Sequence, residues 1–242
     1  MGGRQATVRR VLSRQLRLAL EMSPGGLTAF RTWRGEEFSP VTEASDLVVS
    51  GFQSSANTYV VNAVRQANPG LRIASHAHSW TELALAARLN RPAIFLAREP
   101  VPALSSALAR FGASMTPRWA AADYARLYTR ALALRSHFVL ADFATATEAV
   151  GSILAQVNRM FGTDLVVFAD DDERTRRQVL EDMQAKELAR QGSDDDIRRS
   201  LPTAGRDRRK LEIERSLLDA DMRRLVESCR IAYERLMATG LG

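Results

Sequence analysis

Two kinds of apolar segment alternate along the middle of the chain. Short runs rich in valine, isoleucine, leucine and alanine predict strands at 46–50, 71–75, 93–97 and 137–141. Longer segments with apolar residues at helical spacing predict helices at 57–67, 80–89, 101–111, 119–134 and 145–161. Strands that alternate with helices in this way predict an α/β fold, in which a parallel sheet carries helices on both faces.

The two ends of the chain have a different, more charged pattern. Residues 4–22 form an arginine-rich amphipathic segment that predicts a helix, and the Ser-Pro-Gly-Gly run at 23–26 ends it. From about residue 170 the chain is charged, and a final helix is predicted at about 207–238. We therefore expect a single domain over 1–242, with its core at 45–168, a helical arm at 1–30 and a helical extension at 170–242.

Composition narrows the classes of protein that fit. No apolar run reaches the ~20 residues that a membrane span needs, and we expect no signal peptide. The single cysteine, Cys229, forms no internal disulfide, which favours a cytoplasmic protein and a thiol in a helix core. The net charge of +6 comes from arginines spread along the chain. It favours an anionic small ligand over a dedicated nucleic-acid surface.

The segment 47–59, Leu-Val-Val-Ser-Gly-Phe-Gln-Ser-Ser-Ala-Asn-Thr-Tyr, predicts a phosphate-binding loop. A strand, a loop of small residues and a helix follow one another, so that backbone N–H groups and a helix N-terminus meet at one place. The spacing from Gly51 to Thr58 is that of a nucleotide phosphate loop, but Ala56 stands for its second glycine and Asn57 for its lysine. The missing lysine argues against hydrolysis of a nucleoside triphosphate.

The end of the third predicted strand offers a second phosphate site. Arg98 follows the strand directly, and Ser106 comes eight residues later, early in the next helix. A guanidinium and a hydroxyl that converge from these elements suit a phosphate group. The alternative is that Arg98 pairs with Glu99 or another nearby acid.

Two histidines follow the second predicted strand. His76, with His78 two residues later, stands where a parallel strand ends, which suits a general base beside a phosphate loop. A solvated or structural histidine is an equal alternative, and a metal site is disfavoured because no cysteine or carboxylate cluster stands nearby. His137, at the start of an apolar strand, is expected to be structural.

Together these motifs resemble the sulfotransferases that use 3′-phosphoadenosine 5′-phosphosulfate (PAPS). The family's 5′-phosphosulfate loop, commonly [KR]-S-G-T-[TN]-[WY], is similar to Ser54-Ser55-Ala56-Asn57-Thr58-Tyr59. Its histidine segment is similar to Ala74-Ser75-His76. Its 3′-phosphate motif is similar to Arg98-Glu99-Pro100 with Ser106. The three fall in the family's order, and the resemblance covers about 45–165.

The resemblance implies a three-layer fold of the P-loop NTPase type and transfer of a sulfuryl group to a small-molecule or glycoside acceptor. It implies that 54–59 hold the 5′-phosphate of PAPS or of its product PAP, and that Arg98 and Ser106 hold the 3′-phosphate. It further implies that His76 is the catalytic base and that Arg206, in a C-terminal basic segment, closes over the nucleotide. No metal is required.

Two departures keep other functions open. The family's loop lysine or arginine falls on Ser54, and its glycine falls on Ala56. If that position needs a positive φ, alanine costs energy there. A catalytically inactive nucleotide-binding or interaction protein of the same fold is therefore the main alternative, and a small-molecule kinase is a weaker one. The charged helical arms also make a homodimer a candidate assembly.

Overall fold

The computed structural model describes residues 20, 26, 39–112, 115–169, 173–189 and 204–240, without the side chains of 175, 186–189, 204 and 206. The strands in this part of the chain are β1 (Leu47–Gly51), β2 (Ile73–Ser75), β3 (Ala93–Ala97) and β4 (Val139–Asp142). They form one parallel sheet in the spatial order β2–β1–β3–β4. The predicted parallel α/β class is thus confirmed. The helix predicted at 4–22 lies outside the described residues, apart from residue 20.

The described residues also form the following helices. They are α1 (Asn57–Ala67), α2 (Trp80–Arg88), α3 (Pro100–Phe111), α4 (Pro117–Leu132), α5 (Phe143–Glu148), α6 (Val150–Phe161), α7 (Glu173–Ala189), α8 (Ala204–Leu217) and α9 (Ala220–Met237). The predicted strands, and the predicted helices as far as α4, agree with these bounds to within two residues.

Two predicted helices are each divided in the structure. The helix predicted at 145–161 is α5 followed by α6, because Ala149 leaves the helical conformation at φ −138° and ψ 49°. The helix predicted at 207–238 is α8 followed by α9, with Asp219 in an extended conformation at the N-cap of α9. The side chain of Asp219 makes no capping hydrogen bond, and its backbone carbonyl oxygen accepts from the N–H groups of Met222 and Arg223 at the start of α9.

Each face of the sheet carries its own apolar core. In β3, Phe95 and Ala97 face one layer, while Ile94 and Leu96 face the other. The first layer contains residues of α2, α3, α4, α8 and α9, and the second contains residues of α1, α5, α6 and α7. Both side-chain sets of β3 are therefore buried, as expected of a strand inside a parallel sheet.

Cys229 belongs to the first of these cores. It is fully buried in α9, and its thiol donates to the carbonyl oxygen of Ala121 in α4 at 3.3 Å. Burial raises the pKa of the thiol to about 12. Cys229 therefore packs as a small apolar residue, as the sequence predicts.

The strand order creates a switch point between β1 and β3. The chain that leaves β1 passes through α1 to β2 on one side, whereas the chain that leaves β3 passes through α3 and α4 to β4 on the other side. In open parallel sheets a crevice forms where connections diverge in this way, at the carboxyl ends of the strands. The loops after β1, β2 and β3 are therefore the place to look for a site.

Candidate functional site

The loop after β1 has the backbone of an anion-binding loop. Ser54 and Ala56 are both in the left-handed region with φ 65°, and α1 begins directly after Ala56. No side chain caps the N-terminus of this 11-residue helix, and no acidic residue stands in its first turn. The N–H groups of the first turn therefore point out of the helix, and the helix dipole favours an anion in front of them.

Ala56 needs the backbone conformation that glycine adopts without strain. At φ 65° and ψ 13° its methyl group crowds the backbone, which costs roughly 1–2 kcal/mol for a residue other than glycine. Non-glycine residues held in such conformations are concentrated at functional sites.

Several buried polar atoms of this loop lack a partner. Asn57 is 4% exposed, and its amide nitrogen donates to the carbonyl oxygen of Phe52 at 3.0 Å, which ties the loop to the helix. Among the described residues, no hydrogen-bond partner is present for Oδ1 of Asn57, Oε1 of Gln53 or the hydroxyls of Ser50 and Ser54. Unpaired buried polar atoms are rare in folded proteins. The two serine hydroxyls can donate to a bound anion, whereas the two amide oxygens only accept and need a donor.

The remaining residues of the predicted loop motif lie in the loop and in the first turn of α1. Ser55 is fully buried, and its N–H donates to the Phe52 carbonyl oxygen at 3.3 Å. Thr58 and Tyr59 lie in the first turn of α1. Burial raises the pKa of Tyr59, and the nearby charge of Arg176 in α7 opposes that rise.

His76 and His78 lie at the same edge of the sheet as this loop. Both have a positive φ, 69° and 51°, and their rings are 5.9 Å apart. Nδ1 of His78 is 2.9 Å from the carbonyl oxygen of Gly51, at the end of β1. Because a carbonyl oxygen only accepts, Nδ1 of His78 is the donor of this hydrogen bond. A backbone carbonyl thus orients His78, an arrangement seen in functional histidines.

Arg98 extends from the end of β3 to the loop after β1. Its Nη1 donates to the carbonyl oxygen of Ser54, and its guanidinium carbon lies 3.9 Å from the centre of the Phe143 ring. The strand end therefore brings a cation to the loop.

The backbone of Arg98 is held by two tyrosines of α4, which the sequence prediction missed. Tyr128 accepts from the Arg98 N–H at 2.8 Å and donates to its carbonyl oxygen at 3.1 Å, and Tyr124 donates to the same oxygen. The two rings stack at 4.1 Å and are fully buried, which raises the pKa of both phenols. Their spacing of four residues on an amphipathic helix was the available signal.

Ser106 lies in α3, which begins two residues after Arg98. It is 6% exposed and occupies the second turn of the helix, deeper than the early position that the sequence predicts. Its neighbour Ser105 donates to Glu214 of α8 at 2.9 Å, so α8 packs beside this part of α3. Arg206 lies in the first turn of α8, and its side chain is outside the described residues.

Two other kinds of feature are absent from the described part of the chain. In the described ranges, no group of three or more histidine, cysteine, aspartate or glutamate side chains is arranged to hold a metal ion. Within the same ranges, no helix has the length and apolar character needed to cross a membrane.

Comparisons with known proteins assign no family to this site. The chain matched no family model, no curated protein and no solved structure. The function must therefore be argued from the residues at the carboxyl edge of the sheet.

Proposed function

We propose that the chain is a PAPS-dependent sulfotransferase with a P-loop-like α/β fold. The observation that carries the proposal is the meeting of three strand ends: the loop 52–56, the two histidines and Arg98. His78 contacts the end of β1 and Arg98 contacts the loop, so both reach the same loop from opposite sides.

The residues present suit the phosphates of such a nucleotide. The loop N–H groups and the start of α1, with Ser55 and Thr58, would hold the 5′-phosphate, and Arg98 with Ser106 would hold the 3′-phosphate. Asn57 would act by fixing the loop, since its amide nitrogen already bonds Phe52. Arg206 remains a candidate for closing over the nucleotide.

In this scheme the chain's own residues supply positioning and proton transfer. PAPS supplies an activated sulfuryl group when bound. His76 accepts the proton of the acceptor hydroxyl or amine as that atom bonds to sulfur. Residues 54–58 would hold the 5′-phosphate as the sulfur–oxygen bond to it breaks, so that the electron pair of that bond would remain with the released PAP. The loop N–H groups and Arg98 stabilise the charge that develops on the leaving phosphate.

A second candidate, an inactive nucleotide-binding protein of the same fold, has a specific observation in its favour. Neither Ser54 nor Asn57 is a cation, and Asn57 is turned onto a loop carbonyl. Such a protein would bind PAP without catalysing transfer. The kinase alternative is weaker, since the lysine that contacts the β- and γ-phosphates is replaced by Asn57.

One experiment separates these functions. The full chain is titrated with PAP in a calorimeter and then incubated with PAPS and a panel of phenols, amines and glycosides, while PAP release is followed. Binding of PAP with release that depends on an acceptor supports the sulfotransferase. Binding without release favours the inactive protein, and no binding of PAP rejects both.

A further inference from the structure

The loop after β1 contains no cation of its own. Residues 52–59 read Phe-Gln-Ser-Ser-Ala-Asn-Thr-Tyr, without lysine, arginine or histidine. A helix N-terminus contributes only about half a positive charge, whereas a phosphate monoester carries between one and two negative charges at neutral pH. A phosphate bound at this loop therefore needs positive charge from another element.

Arg98 reaches the loop from the end of β3. Its Nη1 donates to the Ser54 carbonyl oxygen, which belongs to the residue that stands where the family's loop cation would stand. Ser54 is also one of the two loop residues with a positive φ. The guanidinium thus lies against the strained part of the loop.

The position of the guanidinium is well supported on both sides. The backbone of Arg98 is held by the hydroxyls of Tyr124 and Tyr128. Its guanidinium group lies over the Phe143 ring at the start of α5. A fixed backbone and an aromatic face reduce the entropy lost when the side chain binds an anion. Arginine is also suited to such a place because its planar fork holds a carbonyl and presents its charge at once.

We infer that Arg98 supplies the positive charge of the loop after β1 and binds the phosphate or sulfate group at the 5′ end of the ligand. This inference rests on the proposed nucleotide site and enlarges the role of Arg98, which the resemblance limits to the 3′-phosphate. The cation of the loop has moved from the loop itself to the neighbouring strand β3. Ligands that have a 5′-phosphate and no 3′-phosphate should therefore also depend on Arg98.

The test compares AMP, which has only the 5′-phosphate, with PAP, which has both. Calorimetry on the full chain is carried out for the wild type, Arg98→Gln, Arg98→Lys, Ser106→Ala and, as an arginine control at the opposite edge of the sheet, Arg72→Gln. We expect Arg98→Gln to weaken the binding of both AMP and PAP, by about tenfold to a hundredfold. Arg98→Lys should recover part of this loss, and Ser106→Ala should weaken PAP alone.

Salt dependence separates a charge contact from a merely structural one. If Arg98 binds the anion, the AMP affinity of the wild type falls more steeply with ionic strength than that of Arg98→Gln. Equal salt slopes would mean that Arg98 only holds the loop in place, and would overturn the inference.

Two further outcomes distinguish the inference from the function. If Arg98→Gln weakens PAP but leaves AMP unchanged, Arg98 reads only the 3′-phosphate; the inference fails and the proposed function stands. If the wild type binds neither AMP nor PAP, both fail. Thermal melting of each variant shows that a loss of affinity is not a loss of fold.

Discussion

At the amino edge of the sheet, polar groups are paired and tight turns use residues that tolerate them. Asp46 bonds Arg72 through its side chain at 2.9 and 3.1 Å and accepts from the Arg72 N–H at 2.9 Å. The left-handed positions there are Gly70 and Asn90, residues that adopt this conformation readily. This edge is organised for stability.

The carboxyl edge differs in both respects, since some of its polar atoms are unpaired and none of its described left-handed residues is glycine or asparagine. The left-handed positions are Ser54, Ala56, His76 and His78. Histidine tolerates this region better than serine or alanine, so the largest strain falls on the loop after β1. The unpaired atoms of Ser50, Gln53, Ser54 and Asn57 lie in this loop and in the strand and helix residues beside it. The contrast makes the carboxyl edge the candidate functional edge, because stability alone would favour glycine and fewer unpaired polar groups there.

The largest effect is expected from the histidines, and it concerns activity alone. His76→Ala should lower the rate of sulfuryl transfer by about 10²–10⁴-fold and leave PAP affinity nearly unchanged, because a base acts on the acceptor proton. His78→Ala should be milder. His137→Ala, an exposed residue before β4, is the matched control and should have no effect. The measurement is steady-state PAP release together with PAP titration.

The histidine series also tests which of the two rings is the base. A larger loss with His78→Ala than with His76→Ala would assign the base to the ring that Gly51 orients. Equal rates in all three variants would contradict a histidine base.

The next effect concerns the tyrosines that hold Arg98. Tyr128→Phe should lower the free energy of unfolding by about 1–3 kcal/mol, because the buried Arg98 N–H loses its acceptor. Tyr233→Phe, whose ring contacts Tyr128 from α9, is the control and should change stability less. Urea unfolding measures both. A loss for Tyr128→Phe no larger than for Tyr233→Phe would show that the hydroxyl contributes little.

Relief of strain should give a smaller effect of opposite sign. Ala56→Gly should raise the free energy of unfolding by about 0.5–1 kcal/mol, because glycine adopts φ 65° without strain. The greater conformational entropy of glycine in the unfolded chain offsets only part of this gain. Ala63→Gly, inside the same helix, should lower it by about 1 kcal/mol or more. Urea unfolding measures both variants. A loss of stability in both would show that Ala56 is not strained.

The smallest effect is expected at the amino edge. The hydrogen bonds from Arg72 lower the pKa of Asp46 to about 2. A carboxylate with a lowered pKa stabilises the fold above its unfolded value of about 4, and this stability is lost as the pH falls through about 2. Asp46→Asn should therefore lower Tm by no more than about 2–4 °C at pH 7, with the difference vanishing at low pH.

The PAP affinity of Asp46→Asn tests whether the amino edge takes part in binding. Asp46 lies at the edge away from the loops, so Asp46→Asn should leave PAP affinity unchanged. A clear loss of PAP affinity in this variant would contradict the division between a stabilising edge and a binding edge. A Tm difference that grows as the pH falls would contradict the assigned pKa.

The sequence by itself determined the parallel α/β class and most element bounds, because periods of two and of 3.6 residues report directly which side chains are buried. It also placed the loop at 52–56, the histidines and Arg98 after strands, since strand ends can be read from local composition. The breaks at Ala149 and Asp219 escaped this reading because apolar spacing continues across them.

Only the tertiary structure decided how these strand ends combine. The order β2–β1–β3–β4 depends on pairing between distant segments, and it alone brings the guanidinium of Arg98 to Ser54 and the ring of His78 to Gly51. The clamp on Arg98 by the tyrosines of α4 likewise joins residues about thirty positions apart. Such contacts follow from how layers pack, and local propensities carry no information about which strand lies beside which.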